Sequence, residues 1–393
     1  MSDFETQPQM DGAQDLPLAG LVVVDLSQFL SGPYCSLRLS DLGARVIKVE
    51  RPGQGDLSRR LYLSDTEIGG DSTIFHAINR GKESIALDLK DPGDRAALKK
   101  LLAQADMVIQ NFRPGVAARM GLDWPEVQAI NPRIVYGSIS GYGTDGPWVG
   151  LPGQDLLAQA RSGLMWLTGD ADQGPVPMGL AVADMMAGVA LSQGMLAALV
   201  GRSVSGRGRL VETSLLEALV DLQFEVLTTY LNDGRRLPGR AAKNSAHAYL
   251  SAPYGVYACK DGYLALAMTP LPGLFALLDM PDLTEGRTDA GFRRRDEIKA
   301  ALAERLAAES VAHWLSILQP ADIWCAEVMN WPQLLESEGF KRLEMLQVVT
   351  RADGVRIETT RAPLTLDGRR PENSRAAPRV GDHTEQLRKE FGL

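Results

Sequence analysis

The run "GLVVVDL" at residues 20–26 constrains the fold more than any other stretch. Three consecutive valines leave no polar face, so the segment reads as a strand buried on both sides, as in parallel sheets. "SGPYCSLRLSDLGA" follows. Ser31 or Gly32 opens a helix, Pro33 fits its first turn and Gly43 ends it. "ARVIKVE" is a second β-branched strand. Strand, short helix and strand within Leu18–Glu50 make a βαβ unit, whose connection sets the two strands parallel.

The alternation continues through "SIALDL" (strand), "DPGDRAALKKLLAQA" (helix), "DMVIQNF" (strand) and "PRIVYGSISGYG" (strand into a glycine loop). "ADMMAGVALSQGMLAALVGR" is a long helix rich in small residues, and "GRGRLVETSLLEALVDLQFEVLTTYL" reads as strand then helix. The character changes after about Asn232. Two aromatic, β-branched runs flank Asp261-Gly262 in "APYGVYACKDGYLALAM", a hairpin signal, and amphipathic helices follow. Trp314, Trp324 and Trp331 fall on or beside these helices and are expected in the core. A chain of 393 residues exceeds one ordinary core. The expected division is a flexible N-terminus over 1–17, a large α/β domain over 18–231, a small α+β domain over 232–330 and a loop-rich segment over 331–393.

Composition narrows the function. The four histidines form no HExxH and no ligand cluster, so no metal is expected. Three scattered cysteines without a CxxC pair suit a reducing compartment. A net charge of −8 without a basic stripe argues against nucleic-acid binding. No uninterrupted apolar run reaches the roughly 20 residues of a membrane span, so no membrane partner is expected. Residues 1–16 lack the basic start and apolar centre of a signal peptide, which points to the cytoplasm. A dinucleotide fingerprint needs GxGxxG at the first strand–helix turn, whereas "DLSQFLSGPY" has one glycine and a proline. The acids Asp155, Asp170, Asp172 and Asp184 crowd a segment nearly free of bases, where they cap helices, form turns or perform chemistry.

Several motifs in order then carry a resemblance: "DLSQFLSGPYCSLRLSDLGARVIKVERPGQGD", "NRGKESIALDLKDP", "VIQNFRPGVAARMGLD", "NPRIVYGSISGYGTDGP", "SGLMWLTGDADQGP" and "GLAVADMMAGV". Together they are similar to the class III CoA-transferases, which include formyl-CoA and carnitine CoA-transferases and have α-methylacyl-CoA racemases as relatives. The resemblance is dense over about 18–220 and returns near "GDHTEQL". It implies a Rossmann-like large domain with a parallel sheet plus a smaller α+β domain, an interlocked homodimer, and a C-terminal segment packing back on the large domain. It implies coenzyme A or acyl-CoA as substrate, a small carboxylic acid as partner, and no tightly bound cofactor. Carried over by position, Gln28, Phe29, Leu30 and Ser31 line the coenzyme at the first turn. Arg51, Leu87, Lys90, Asn111, Phe112, Arg119 and Met120 complete its site. Ser140 stands where some relatives have a lysine.

The family's transferases work through a carboxylate nucleophile that forms a mixed anhydride and then an enzyme-bound CoA thioester. That nucleophile falls on Asp172. An ionised carboxylate needs no base, which suits a site short of histidine. Backbone N–H groups in "SGYGTDGP" and around Gly169 are the expected oxyanion donors. Asp184 matches an acid of the racemases and is read as structural, and Asp155 has a racemase match beside their histidine. At that histidine's position stands Gln154, which cannot shuttle a proton. His247, Lys243 and Arg240 lie in a loop near the expected acceptor and are read as surface residues. The expected activity is CoA transfer between two carboxylic acids. An acyl-CoA racemase or epimerase and a non-catalytic CoA-binding dimer remain alternatives.

Overall fold

A computed structural model describes residues 16–393. The flexible N-terminus expected over 1–17 falls, apart from its last two residues, outside them. The chain divides into two compact units. The first takes the described chain through Ala158, then Ala181–Leu219 and Arg342–Leu393; the second takes Gln159–Leu180 and Val220–Lys341. Residues 159–180 and 220–231 thus group with the small unit, whereas the change in sequence character places a cut near 232.

The first unit is built on six strands: β1 (Val22–Asp25), β2 (Arg45–Glu50), β3 (Glu83–Ala86), β4 (Met107–Gln110), β5 (Val135–Ser140) and β6 (Leu210–Ser214). Their order is β3-β2-β1-β4-β5-β6, with every neighbour parallel. The order reverses between β1 and β4, so a crevice opens outside the carboxyl ends of those strands, where ligands bind in such sheets. Val23, Val24, Ile47, Ile85, Val108 and Ile109 are fully buried. Each contributes roughly 1.5–3 kcal/mol by leaving water.

Three helices position the crevice: α1 (Ser31–Asp41), α2 (Pro92–Leu102) and α3 (Val182–Ser205). Helix α1 starts at Ser31 with Pro33 in its first turn, as its sequence signals predict. Asp91 caps α2 by accepting the Asp94 N–H at 2.9 Å. The 24-residue α3 is long and apolar enough by composition to cross a membrane, which a search for an uninterrupted apolar run misses. In this fold it covers the sheet. A Cβ on Gly188 would stand 2.7 Å from the Ser31 carbonyl oxygen, so glycine lets α3 and α1 meet backbone to backbone. Near the other end of α3, Arg202 pairs with Asp106 at 3.0 Å.

In the second unit, β7 (Gly255–Ala258), β8 (Tyr263–Leu266) and β9 (Cys325–Glu327) form an antiparallel sheet in the order β9-β8-β7. The β7–β8 hairpin turns at Asp261-Gly262 as expected. Helices α4 (Arg295–Leu306) and α5 (Val311–Leu318) cover it, with Tyr257, Leu264, Phe275, Ile298 and Trp314 in the core. Trp314 is core as expected, its indole N–H donating to the Leu306 carbonyl at 2.8 Å. Trp324 and Trp331 are exposed instead, at 59% and 82%. One precedes edge strand β9 and the other opens a short helix, so neither has a layer to pack beneath.

The last 52 residues belong to the first unit. Hairpin β10 (Leu346–Thr350) and β11 (Arg356–Thr360) is followed by helix α6 (Thr384–Phe391). The edge strand β3 is blunted by this segment: His383 N–H donates to Ser84 O at 3.0 Å, and Ala86 N–H donates to Thr384 Oγ1 at 2.9 Å.

Candidate active site

The residues expected at the coenzyme all follow the carboxyl ends of four adjacent strands. Gln28–Ser31 follow β1, Arg51 follows β2, Leu87 and Lys90 follow β3, and Asn111, Phe112, Arg119 and Met120 follow β4. The structure ties the two sides of the crevice together directly. Asn111 Oδ1 accepts the Gln28 N–H at 2.9 Å, and Asn111 Nδ2 donates to the Gln28 carbonyl at 2.7 Å. Arg51, Lys90 and Arg119 are exposed cations on this edge. Phe112 and Met120 pack half-buried against the core. Leu87 departs from expectation: at 1% exposure it belongs to the core beneath. Ser140 Oγ accepts the Gly143 N–H at 2.9 Å, so it shapes the glycine loop.

The turn between β1 and α1 is strained. Phe29 has φ 63°, a left-handed conformation that costs a bulky residue about 1–2 kcal/mol, yet the residue is 47% exposed. Gly32 permits the tight return, because a Cβ there would lie 2.3 Å from Ser27 Cβ. Beneath the turn lies a charge network the sequence reading did not anticipate. Asp25 accepts both Ser27 donors, the backbone N–H at 2.9 Å, and pairs with Lys82 at 3.0 Å. Lys48 donates to Ser27 O at 2.9 Å and pairs with Asp56 at 2.7 Å. Burial pushes the Asp25 carboxyl up, but Lys48 and Lys82 outweigh it and hold the group well below the usual carboxylate range. Burial also lowers Lys82, to about 8.

The aspartates divide by environment. Asp155 Oδ1 accepts the Ala183 N–H at 2.6 Å and the Asp184 N–H at 3.2 Å, so it caps α3 from a distant segment. Asp184 does not serve its own helix; it accepts the backbone and hydroxyl donors of Ser31 at the start of α1. Burial, then the neighbouring Asp155 charge, raises its carboxyl to about 6. Both acids belong to the first unit.

Asp170 and Asp172 belong to the second. Asp170 is a turn residue, accepting the Ser245 N–H at 2.9 Å. Asp172 is exposed and pairs with Lys243 at 2.6 Å; that hydrogen bond chiefly holds its carboxyl below the ordinary value, so it is ionised at neutral pH. The loop is fastened by Arg240, which donates to the carbonyls of Thr168 at 2.7 Å, Gly174 at 3.1 Å and Gln173 at 2.6 Å. Arg240 is 9% exposed, which corrects its reading as a surface residue. Lys243 is exposed but engaged by the acid. His247 Nδ1 accepts the Tyr249 N–H at 3.2 Å and contacts neither aspartate. Ala171, beside the acid, lines a largely apolar cavity of about 570 Å³ with Trp166, Leu227, Tyr230 and Tyr249. The arrangement presents an ionised, accessible carboxylate on a backbone held at several points, which suits covalent catalysis.

Comparison with known proteins identifies the family. The family described as "CoA-transferase family III" matches residues 18–384. An acetyl-CoA:oxalate CoA-transferase of Acetobacter aceti is 33% identical over 384 residues, covering 95% of this chain and 96% of the relative. A succinyl-CoA:glutarate CoA-transferase of Mus musculus is 31% identical, covering 98% and 88%. A crystal structure of a CAIB/BAIF family protein from Brucella suis superposes with a TM-score of 0.82 at 30% identity, covering 96% and 100%. Ordered motifs, sheet and comparisons converge: the chain belongs to CoA-transferase family III.

Proposed function

We propose that this enzyme moves CoA from an acyl-CoA donor to a carboxylic acid acceptor through covalent intermediates on Asp172. The Asp172 carboxylate attacks the donor thioester carbonyl, the C–S bond breaks, and CoA leaves as thiolate from an acyl–aspartyl anhydride. The thiolate attacks the aspartyl carbonyl, releasing the donor acid and leaving an aspartyl–CoA thioester. The acceptor carboxylate repeats the two steps in reverse, and Asp172 is regenerated with no net proton consumed. The observation that carries this reading is the exposed Asp172 carboxylate, held below its ordinary value chiefly by the Lys243 hydrogen bond, which as an ionised nucleophile needs no general base.

Gln28–Ser31, Arg51, Lys90, Asn111, Phe112, Arg119 and Met120 are the proposed coenzyme contacts, with three cations for the phosphates of CoA. The acids named for the relatives, oxalate and glutarate, support a carboxylic acid acceptor here. A homodimer is part of the proposal. The helix Phe224–Asn232 buries none of its residues and exposes Phe224, Leu227 and Leu231, an apolar face that a second copy of the chain would cover. A cytoplasmic setting completes it, since Cys35, Cys259 and Cys325 are all free thiols.

One observation favours the racemase alternative: Asp184, raised to about 6, suits a proton acceptor. Gln154 leaves that route without its second acid–base group. The test is incubation with an acyl-CoA followed by hydroxylamine or borohydride. The expected result is an adduct on the peptide containing Asp172, lost together with exchange in Asp172→Ala while the fold persists. Full exchange in Asp172→Ala refutes the assignment. Exchange of the α-proton in deuterium oxide without an adduct favours the racemase, and neither adduct nor exchange favours a binding protein.

A further inference from the structure

We propose that Asp56, together with Lys48, is a positioning residue for coenzyme A that acts through Phe29. The inference rests on the coenzyme site proposed above. Phe29 stands in a conformation that glycine would adopt without strain, yet carries an exposed aromatic ring at the point where the sheet order reverses. A ring kept at that cost has a use, and its place at the mouth of the crevice is against the coenzyme. A left-handed phenylalanine persists only where its surroundings over-determine it.

Those surroundings are the buried pair. Asp56 Oδ1 accepts the Phe29 N–H at 3.2 Å and also the Ser58 N–H at 2.8 Å. Its other oxygen pairs with Lys48 at 2.7 Å, and Lys48 donates to the Ser27 carbonyl at 2.9 Å. The pair therefore holds the backbone on either side of Gln28, while Asn111 holds Gln28 itself. Asp56 is fixed in turn by its own N–H, which donates to Glu50 Oε2 at 2.9 Å. Asp56 and Lys48 are 2% and 0% exposed, so neither touches a ligand directly.

A double-mutant cycle tests this by calorimetric titration of free CoA and by steady-state kinetics. Asp56→Asn in the otherwise unchanged chain is expected to weaken CoA binding about 10-fold, ~1.4 kcal/mol. KM for acyl-CoA rises accordingly and kcat holds within about 2-fold. In the Phe29→Gly background the same substitution is expected to change CoA affinity less than about 2-fold, because glycine keeps the left-handed turn unaided. Equal losses in both backgrounds overturn the proposal, since Asp56 then acts on the fold at large. Should Asp56→Asn fail to fold alone, folding in the Phe29→Gly background supports the proposal and failure in both overturns it. Lys90→Met separates this from the underlying reading. If it leaves CoA affinity unchanged, the coenzyme site itself is misplaced. If it weakens binding while Asp56→Asn does not, only the positioning role fails.

Discussion

Asp184 offers the most quantitative check of the structure. Its carboxyl rises from an ordinary 3.8 to about 6, first through burial and then through the Asp155 charge. Between those values the unfolded chain has released its proton while the folded chain still holds it, so stability falls as pH rises through this window. Above pH 6 the full deficit is present. A rise of this size corresponds to ~3 kcal/mol, and water reaching a half-buried group reduces it to about 2 kcal/mol. Asp184→Asn removes the charge but keeps an oxygen for the Ser31 donors and presents an amide to Asp155. The variant is expected to be more stable than the parent by about 2 kcal/mol at pH 8 and by under about 1 kcal/mol at pH 4.5. Urea unfolding at both pH values measures this. A variant less stable than the parent at pH 8, or a gain independent of pH, refutes the argument that Asp184, in the first turn of α3, is a strained carboxylate.

Two further outcomes follow from the loop around Asp172. Lys243→Met removes the hydrogen bond that depresses the Asp172 carboxyl, so the acid protonates at higher pH. The acid limb of kcat/KM against pH is expected to move upward, and an unmoved limb means that another group titrates. Arg240→Met leaves three carbonyls without their cationic donor. Exchange is expected to fall at least about 10-fold, with cleavage by added protease rising within 168–175, because under the proposed mechanism a misplaced Asp172 loses the benefit of orientation. Arg240→Lys, with fewer donors and no fork, is expected to recover only part of the rate.

What was legible in the sequence is what depends on near neighbours. Three valines in a row give a strand buried on both faces, Pro33 and Gly43 bracket α1, and Asp261-Gly262 turns a hairpin. These signals act within a few residues, where steric limits and backbone hydrogen bonds decide the outcome. The order of motifs likewise carried the family, which the comparisons bear out. The rest depends on approach in space. Asp56 lies 27 residues from the amide it holds, Asp155 caps a helix 28 residues away, and Arg240 clamps carbonyls 66–72 residues before it. No local pattern marks such pairs, because any Asp or Arg is soluble on its own and acquires its role only from what is folded against it. For the same reason Leu87 proved to be core, and Trp324 and Trp331 proved exposed. Composition allows a large apolar side chain to go inside, but only the tertiary structure decides whether a layer is there to cover it.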